Sequence, residues 1–480
     1  MIQTSLLPNS RASRVSRRRL PRLRAASVAA GVVLAACPAP LLLAAPASAA
    51  AAKHYDDFNG DGYPDLATPY ELTGMRDGTV SFGGGAVLVT FGGPKGLTTK
   101  TQLVHQDSPG VPGAGEENDR FGSALASADL DRDGYADLVV GNPTEEYGKT
   151  PVGSITVVWG SAKGLKGGTA LPIRVPAAFS RFGRDIATGD FNGDGRPDIA
   201  TLDGDDVVLY RGGFTKSGGH GKVSAYDRPE QSWYADSLAA GKVTGDGKTD
   251  LVAVGVRGVG STFRTEAWFL KGTAAGLASG PAKVIDNNQH ERLDAAIGDF
   301  DRNGYGDIAV GNPYASGSRG AVTLWYGAAA GPGSRSLSFS QSTAGIAGAS
   351  EAGDEFGTSL TAGDADGDGY ADLAVGVPGE TVGKKRSSGA AYLFRGGSGG
   401  LKGSRSAVFD KTLPGVAGGT AAHDYFGYDL RLRDLDRNGR ADLAVSVPSE
   451  STVRILPGAK GGVTGAGSAV VRGTGADLPE

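Results

Sequence analysis

Clusters of carboxylate and carboxamide side chains recur along this chain at a spacing suited to metal binding. The clearest reads Asp364-Ala-Asp366-Gly-Asp368-Gly-Tyr370-Ala-Asp372, with acidic side chains at positions 1, 3, 5 and 9 of a tight glycine-containing loop. Unit charges ~4 Å apart repel by ~4 kcal/mol per pair at a surface-like dielectric constant. A hard dication with oxygen ligands removes this repulsion, whereas zinc favours nitrogen and sulfur. We therefore predict that calcium is the cofactor.

The pattern occurs seven times, in six intact copies and one degenerate copy. The loops begin at Asp57, Asp129, Asp190, Lys242, Asp299, Asp364 and Asp434. In the fourth loop, Lys242 and Thr244 occupy ligand positions. We predict about six calcium sites and a metal-free fourth loop. There, either the Lys242 ammonium replaces the ion near Asp246 and Asp250, or the segment has decayed into a surface turn.

Each intact loop is predicted to bind through four side chains and the backbone carbonyl of position 7. The alternative is a solvated turn, since Asp and Gly both favour turns, and an EF-hand is excluded because position 12 is not glutamate. The predicted metal ligands are Asp57, Asn59, Asp61, Tyr63 and Asp65; Asp129, Asp131, Asp133, Tyr135 and Asp137; Asp190, Asn192, Asp194, Arg196 and Asp198; Asp299, Asp301, Asn303, Tyr305 and Asp307; Asp364, Asp366, Asp368, Tyr370 and Asp372; and Asp434, Asp436, Asn438, Arg440 and Asp442.

Residues 1–50 have the order of a secretory signal peptide. Seven arginines precede an apolar run, Ala25–Ala36, and small residues at Ala47–Ala49 follow as a cleavage site. The mature chain, residues 51–480, is predicted to be secreted and to have no membrane span, because no other stretch approaches ~20 apolar residues. Ser16-Arg17-Arg18 leaves the twin-arginine and general secretory routes both open.

Cys37 is the only cysteine, and Leu34-Ala35-Ala36-Cys37 resembles a bacterial lipobox. Lipidation there is the less favoured alternative, since Leu41–Leu43 would begin the tether where lipoproteins carry polar residues. Cleavage near Ala49 leaves no cysteine, so disulfides cannot stabilise the mature chain.

The charge balance argues against nucleic-acid binding. The net charge of −4 becomes −11 without residues 1–50, which carry seven arginines and no acidic residue. A nucleic-acid partner requires a basic face instead.

The spacing of turns and short strands predicts one architecture. An aromatic–glycine pair precedes most loops, and a β-branched run ending near proline follows, as in Leu138–Pro143. Two further strands with glycine-rich turns complete each unit. Four antiparallel strands per ~60 residues, seven times over, predict an all-β, seven-bladed β-propeller spanning residues 51–480. The aromatic–glycine pairs are Phe121-Gly122, Phe182-Gly183, Phe356-Gly357 and Phe426-Gly427.

The Phe-Gly start, the Asp-rich loop and the Gly-Asn-Pro finish resemble FG-GAP repeats, as in integrin α-subunit heads and many secreted bacterial proteins. The resemblance implies that the calcium loop joins the first and second strands of each blade. It also implies that ligands bind the opposite face. Only Lys53–Phe58 is left for the first strand of the first blade, and Ser468–Arg472 is a candidate for closing the ring.

Antiparallel strands place the calcium loops and the third-to-fourth turns on one face. The longer second-to-third connections lie on the other face, where binding is expected. They include residues 69–85, 144–152, 314–319 and 379–389. We predict a monomeric, non-enzymatic binding or adhesion module for an extracellular protein or glycan. A lectin with repeated sugar sites is the alternative.

An extracellular hydrolase is the least favoured class. Gly396-Gly-Ser398-Gly-Gly400 matches a nucleophile string, but it lies in a glycine-rich turn that recurs in other blades without serine. The five histidines fall in different repeats and have no ligand spacing.

Overall fold

A computed structural model describes residues 56–71, 84–174, 177–228, 232–259, 262–290 and 293–473 of the chain. These residues belong to one compact unit, Ser48–Glu480. The predicted signal peptide, Cys37 and the beginning of the first predicted strand at Lys53 lie outside the described residues. No helix in the described ranges has the length and apolar character needed to cross a membrane.

The described strands form seven antiparallel blades, which confirms the predicted seven-bladed β-propeller. Six blades have four strands, and three strands of the first blade are described. The blades are β1 (Leu66–Glu71), β2 (Gly85–Thr90), β3 (Thr101–Val104); β4 (Ala124–Ala128), β5 (Asp137–Asn142), β8 (Ser154–Trp159), β9 (Lys166–Ala170); β10 (Ile186–Gly189), β11 (Asp198–Asp203), β12 (Asp206–Tyr210), β13 (Val223–Tyr226); β14 (Trp233–Gly241), β15 (Asp250–Val259), β16 (Thr262–Thr273), β17 (Gly276–Asp286); β18 (Ala295–Gly298), β19 (Asp307–Asn312), β20 (Ala321–Trp325), β21 (Ser336–Phe339); β22 (Leu360–Gly363), β23 (Asp372–Val377), β24 (Ala390–Phe394), β25 (Ser406–Phe409); and β26 (Leu430–Arg433), β27 (Asp442–Val447), β28 (Thr452–Leu456), β31 (Ala469–Arg472).

Small elements decorate the connections between these strands. Two short hairpins pair β6 with β7 and β29 with β30, and the only described helical segments are one four-residue turn and two 3₁₀ turns. The four-residue turn has left-handed backbone at Ser316 and Gly317. This content agrees with the predicted all-β fold. The elements are β6 (Glu146–Tyr147), β7 (Thr150–Pro151), β29 (Gly458–Ala459), β30 (Gly462–Val463), α1 (Ala315–Ser318), η1 (Gly403–Arg405) and η2 (Pro448–Glu450).

The apolar core is divided into seven clusters, and each cluster is filled by two successive blades. In five blades the second strand is buried along its whole length, as in Asp307–Asn312, because both of its faces meet a neighbouring blade. Leu66 of the first blade shares a cluster with Val453 and Val471 of the seventh. The ring is therefore closed by side-chain packing between these two blades, and β31 is the outermost strand of the seventh.

The Phe-Gly pairs are corners that pack against glycines of the preceding blade. A Cβ at Gly141 would lie 2.0 Å from the carbonyl oxygen of Gly183, and a Cβ at Gly153 would lie 2.3 Å from that of Phe182. Any larger residue at these two glycines would push the neighbouring blade away. Phe182 itself is fully buried. Glycine recurs at these positions because the backbones of adjacent blades lie too close for a side chain. The aromatic residue recurs because its ring is buried between the blades.

Candidate metal centres

Each intact loop is held by hydrogen bonds from its own backbone to its carboxylates. In the second loop, the N–H groups of Asp133 and Gly134 donate to Asp129 at 3.0 and 3.2 Å. The N–H of Tyr135 donates to Asp133 Oδ1 at 3.1 Å. The same bonds from positions 5 and 6 to position 1 recur in the other five intact loops. Sequence spacing and local turn chemistry therefore give one loop conformation six times.

The structure brings positions 1, 3 and 9 together in three of these loops. One carboxylate oxygen from each residue lies within 4.8 Å of the others, and the groups are Asp129, Asp131 and Asp137; Asp364, Asp366 and Asp372; and Asp434, Asp436 and Asp442. The aspartates at position 5 are outside these groups. The first and third loops carry asparagine at position 3, whereas the fifth has aspartate at positions 1, 3 and 9, and its three carboxylates are not grouped within this distance in the described structure. The remaining ligand assignments, including the carbonyls of position 7, stay predictions.

The aspartate at position 9 joins the loop to the third-to-fourth turn of its blade. Asp137 accepts the N–H of Leu130 at 2.9 Å and the N–H of Gly160 at 2.8 Å. Both bonds recur at Asp65, Asp198, Asp372 and Asp442. This aspartate therefore supports the fold as well as offering a ligand, a role that spacing alone does not reveal.

Burial makes these position-9 carboxylates costly to ionise without a cation. Desolvation raises the pKa of Asp137 to about 8, despite the two N–H bonds. It raises the pKa of Asp65, Asp307 and Asp372 to about 7, and that of Asp198 and Asp442 to about 6. A bound dication would compensate this cost directly.

Neighbouring loops are bonded to one another around the ring. The N–H of Ala136, at position 8 of the second loop, donates to the carbonyl of Asp57 at 3.0 Å. Equivalent bonds join Thr249 to Asp190, Gly306 to Lys242, Ala371 to Asp299 and Ala441 to Asp364. At the other two junctions position 8 is Pro64 or Pro197, which has no N–H to donate.

Side chains at positions 4 and 7 add further contacts between the loops. The Tyr135 ring packs on Gly60, where a Cβ would lie 2.5 Å from the ring. The Arg437 guanidinium of the seventh loop lies 5.3 Å from the ring centre of Tyr63 in the first. Sequence reasoning used only the backbone carbonyls of these tyrosines, so their role in joining loops was missed.

The fourth loop differs from the others in its charge pairing. Asp246 lies 3.5 Å from the ammonium of Lys248 and 3.6 Å from that of Lys271. Asp250 accepts bonds from the Thr244 N–H and hydroxyl and from the Gly272 N–H. The positive charge beside Asp246 therefore comes from Lys248 and Lys271, and not from Lys242 as predicted.

A lysine from the third blade enters the second loop. Lys216 Nζ lies 3.0 Å from Asp131 and 2.6 Å from Asp133. Partial burial opposes its charge, but the hydrogen bonds that the ammonium donates to Asp133 and Asp131 outweigh burial and raise the pKa of Lys216 to about 12. The second loop therefore contains its own cation, which competes with any metal for two of the predicted ligands.

Replacing this lysine with an uncharged residue of similar length is expected to strengthen metal binding at the second loop. Lys216→Met should lower the Kd of one site by roughly 2- to 30-fold, because it frees two carboxylates from a half-exposed competing charge worth about 0.4–2 kcal/mol over two ion pairs. Calcium titration by calorimetry measures the change. Lys163→Met, which removes an exposed charge from the same face, is the control and should change little. Equal effects from both variants would contradict the competition.

The pKa values also predict how the metal-free protein responds to pH. The unfolded aspartates ionise near pH ~4, whereas the folded position-9 carboxyls ionise at about 6 to 8. Over this window the folded state binds more protons, so stability should fall as pH rises from about 5 to 8. Calcium binds the ionised form and should add more stability at pH 8 than at pH 5.5. Denaturant unfolding in chelator at several pH values measures this. A free energy of unfolding that increases from pH 5 to pH 8 would contradict the prediction.

Comparison with known proteins identifies the repeats. The family profile described as the FG-GAP repeat matches residues 121–158, 294–325 and 356–394. The profile of an FG-GAP-like repeat matches residues 190–253. The chain contains FG-GAP repeats. The matches cover loops and strands of the second to sixth blades, so the resemblance read from the motifs is confirmed.

The FG-GAP segments are similar to parts of larger proteins. Phosphatidylinositol-glycan-specific phospholipase D of Homo sapiens is 32% identical over 187 residues, which is 34% of this chain and 21% of that protein. Integrin alpha-8 of Mus musculus is 30% identical over 242 residues, 47% of this chain and 20% of that protein. The chain thus spans about a fifth of these relatives. A solved structure described as the Dos1 propeller has a TM-score of 0.43 at 10% identity, covering 77% of this chain and 75% of that one.

Proposed function

We propose that this FG-GAP propeller is an extracellular, non-enzymatic binding module whose six intact loops hold calcium. The proposed ligands are the side chains at positions 1, 3, 5 and 9 and the carbonyl at position 7. Residues 1–50 would direct export, and the mature propeller would begin near residue 51. The observation that carries the proposal is the separation of the two faces, one with acidic loops and one with longer connections.

The donor set suits a hard dication. The acidic groups of the second, sixth and seventh loops offer only oxygen atoms, three of which lie within 4.8 Å of one another. Oxygen ligands at short range favour calcium over zinc. Calcium bound there would neutralise carboxylates that burial makes costly to ionise. It would also stiffen a rim whose loops are already bonded to one another.

The opposite face has the features expected of a recognition surface. Its connections include the β6–β7 hairpin with exposed Tyr147 and the α1 turn with partly exposed Tyr314. These segments stand on buried strands, so the scaffold below them is rigid. The integrin similarity favours a protein partner, and the phospholipase D similarity supports no reaction by itself because it covers a fifth of that enzyme.

Oriented immobilisation tests which face binds. The predicted mature chain, residues 51–480, has no cysteine, so Lys163→Cys or Lys149→Cys tethers the protein by opposite faces of the same blade. Both lysines are exposed, one in a third-to-fourth turn and one between β6 and β7. The probes are printed oligosaccharides and purified extracellular-matrix proteins in millimolar calcium. Binding should persist with the Lys163→Cys tether and fall with the Lys149→Cys tether. Equal binding, or none in either orientation, would contradict the proposal.

A further inference from the structure

A cleft of about 360 Å³ opens between the third and fourth blades on the face opposite the acidic loops. Its volume is in the range of small-molecule sites. The lining comes from the Phe-Gly corner of the third blade and its second-to-third turn, and from the start of β14, the long hairpin and the segment after β17 in the fourth blade. The lining residues used below are Phe179, Arg181, Asp205, Trp233, Tyr234 and Phe263.

Phe179 occupies a backbone position that disfavours it. The residue three before the Phe-Gly pair has a positive φ in four blades: 79° at Asn118, 63° at Phe179, 92° at Gly353 and 63° at His423. Asn and Gly accept this conformation readily, whereas a bulky side chain does so at a cost. Phe179 is also 74% exposed, so burial does not offset the strain. A residue that stabilises neither backbone nor core is expected to serve a ligand.

The opposite wall is a hairpin found in the fourth blade. Its strands β15 and β16 have 10 and 12 residues, against 6 and 5 for the same strands of the fifth blade. Phe263, near the tip, is 49% exposed. Glu266 at the base is buried and pairs with Arg228 at 2.9 Å and Arg257 at 3.3 Å. The hairpin therefore presents the exposed ring of Phe263 at one end, and the ion pairs of Glu266 hold its other end in place.

The polar groups of the cleft are balanced in charge. Arg181 and Asp205 contribute one charge of each sign, and Arg181 donates a hydrogen bond to the Tyr234 hydroxyl at 3.0 Å. Trp233 is buried, and its indole N–H has no hydrogen-bond partner within the described residues. Unpaired buried donors are uncommon in folded proteins. The cleft thus combines exposed aromatic rings with donors and acceptors and carries no excess charge.

We propose that this cleft binds a neutral carbohydrate, one sugar site per chain. Aromatic rings pack against the C–H face of a pyranose, as they do against other apolar surfaces. The exposed Asp205 carboxylate and Arg181 guanidinium can pair with its hydroxyls. A charged peptide side chain would need an excess of the opposite charge, which these residues do not provide. This inference rests on the proposed binding function and narrows it to a ligand class, and it replaces repeated lectin sites with a single site.

The test screens the full chain, in calcium, on arrays of neutral oligosaccharides, acidic oligosaccharides and peptides, followed by calorimetry with the strongest neutral sugar. Phe179→Asn places there the residue type found at Asn118, so its Tm should hold or rise while affinity falls at least tenfold. Phe263→Ser should weaken binding similarly. His423→Asn, at the matching position of the seventh blade, should relieve the same strain without changing affinity.

The outcomes separate this inference from the broader proposal. One sugar bound per chain, lost in both cleft variants and kept in the control, supports the site. Sugar binding that survives Phe179→Asn and Phe263→Ser, or several equivalent sugars bound per chain, would show that the cleft is not the binding site. The broader proposal of a binding module would still stand. Binding only to peptides or acidic sugars overturns the ligand class. No ligand on any array contradicts both proposals.

Discussion

Excess chelator is expected to lower the melting temperature of this protein by roughly 10 °C. With free calcium tenfold above Kd, each site adds ~1.4 kcal/mol, and six independent sites add ~8 kcal/mol. Unfolding a domain of about 400 residues has an entropy near 0.8 kcal/mol/K, which converts that free energy into the stated shift. Unrelieved repulsion among the loop carboxylates acts in the same direction.

Calorimetry or circular dichroism in millimolar calcium and in chelator measures this shift. Magnesium at the same concentration is the control and should restore only part of the Tm, because it demands a tighter octahedral site and keeps its waters. Restoring calcium should recover the original curve. Identical melting in calcium and in chelator would contradict a structural role for the metal.

Alanine at position 9 of an intact loop is expected to be the most damaging single substitution in the acidic face. Asp137→Ala removes the acceptor for the Leu130 and Gly160 N–H groups. Each buried group left without a partner costs about 1–3 kcal/mol, and loss of one calcium adds ~1.4 kcal/mol. The free energy of unfolding should therefore fall by about 3–7 kcal/mol in calcium.

The degenerate fourth loop supplies a matched control for this substitution. Asp250→Ala removes the equivalent bonds from Thr244 and Gly272, but by our proposal it removes no metal. Denaturant unfolding of both variants, with and without chelator, separates the two contributions. Asp137→Ala should be the more damaging in calcium, and the difference should disappear in chelator. If the two variants differ in free energy of unfolding by the same amount with and without chelator, the lost stability of Asp137→Ala comes from its hydrogen bonds and not from calcium.

Much of the fold could be predicted because each blade repeats the same local rules. The alternation of apolar and polar residues, the turn residues and the ~60-residue period together predict a four-stranded blade. Seven such repeats predict a closed ring. The intact loops could be found because their backbone conformation follows from Asp and Gly at fixed positions. These features depend on residues close in sequence.

Features that depend on distant residues could not be predicted from the same patterns. Lys216 reaches the second loop from another blade, 83 residues beyond Asp133. The cleft arises where the corner at Phe179 meets a hairpin 80 residues away, and neither segment has a distinctive motif. The length of the hairpin was not predicted either, because its strands extend to Val259 and from Thr262, well beyond those of the fifth blade.

Calcium stoichiometry tests the central claim most directly. The protein is dialysed against millimolar calcium, and bound metal is measured by elemental analysis alongside the loop variants Asp364→Ala and Asp246→Ala. We expect about six calcium ions per chain, one fewer in Asp364→Ala and no change in Asp246→Ala. Protein that retains no calcium, or that loses an ion on substitution in the fourth loop and none in the sixth, would contradict the account.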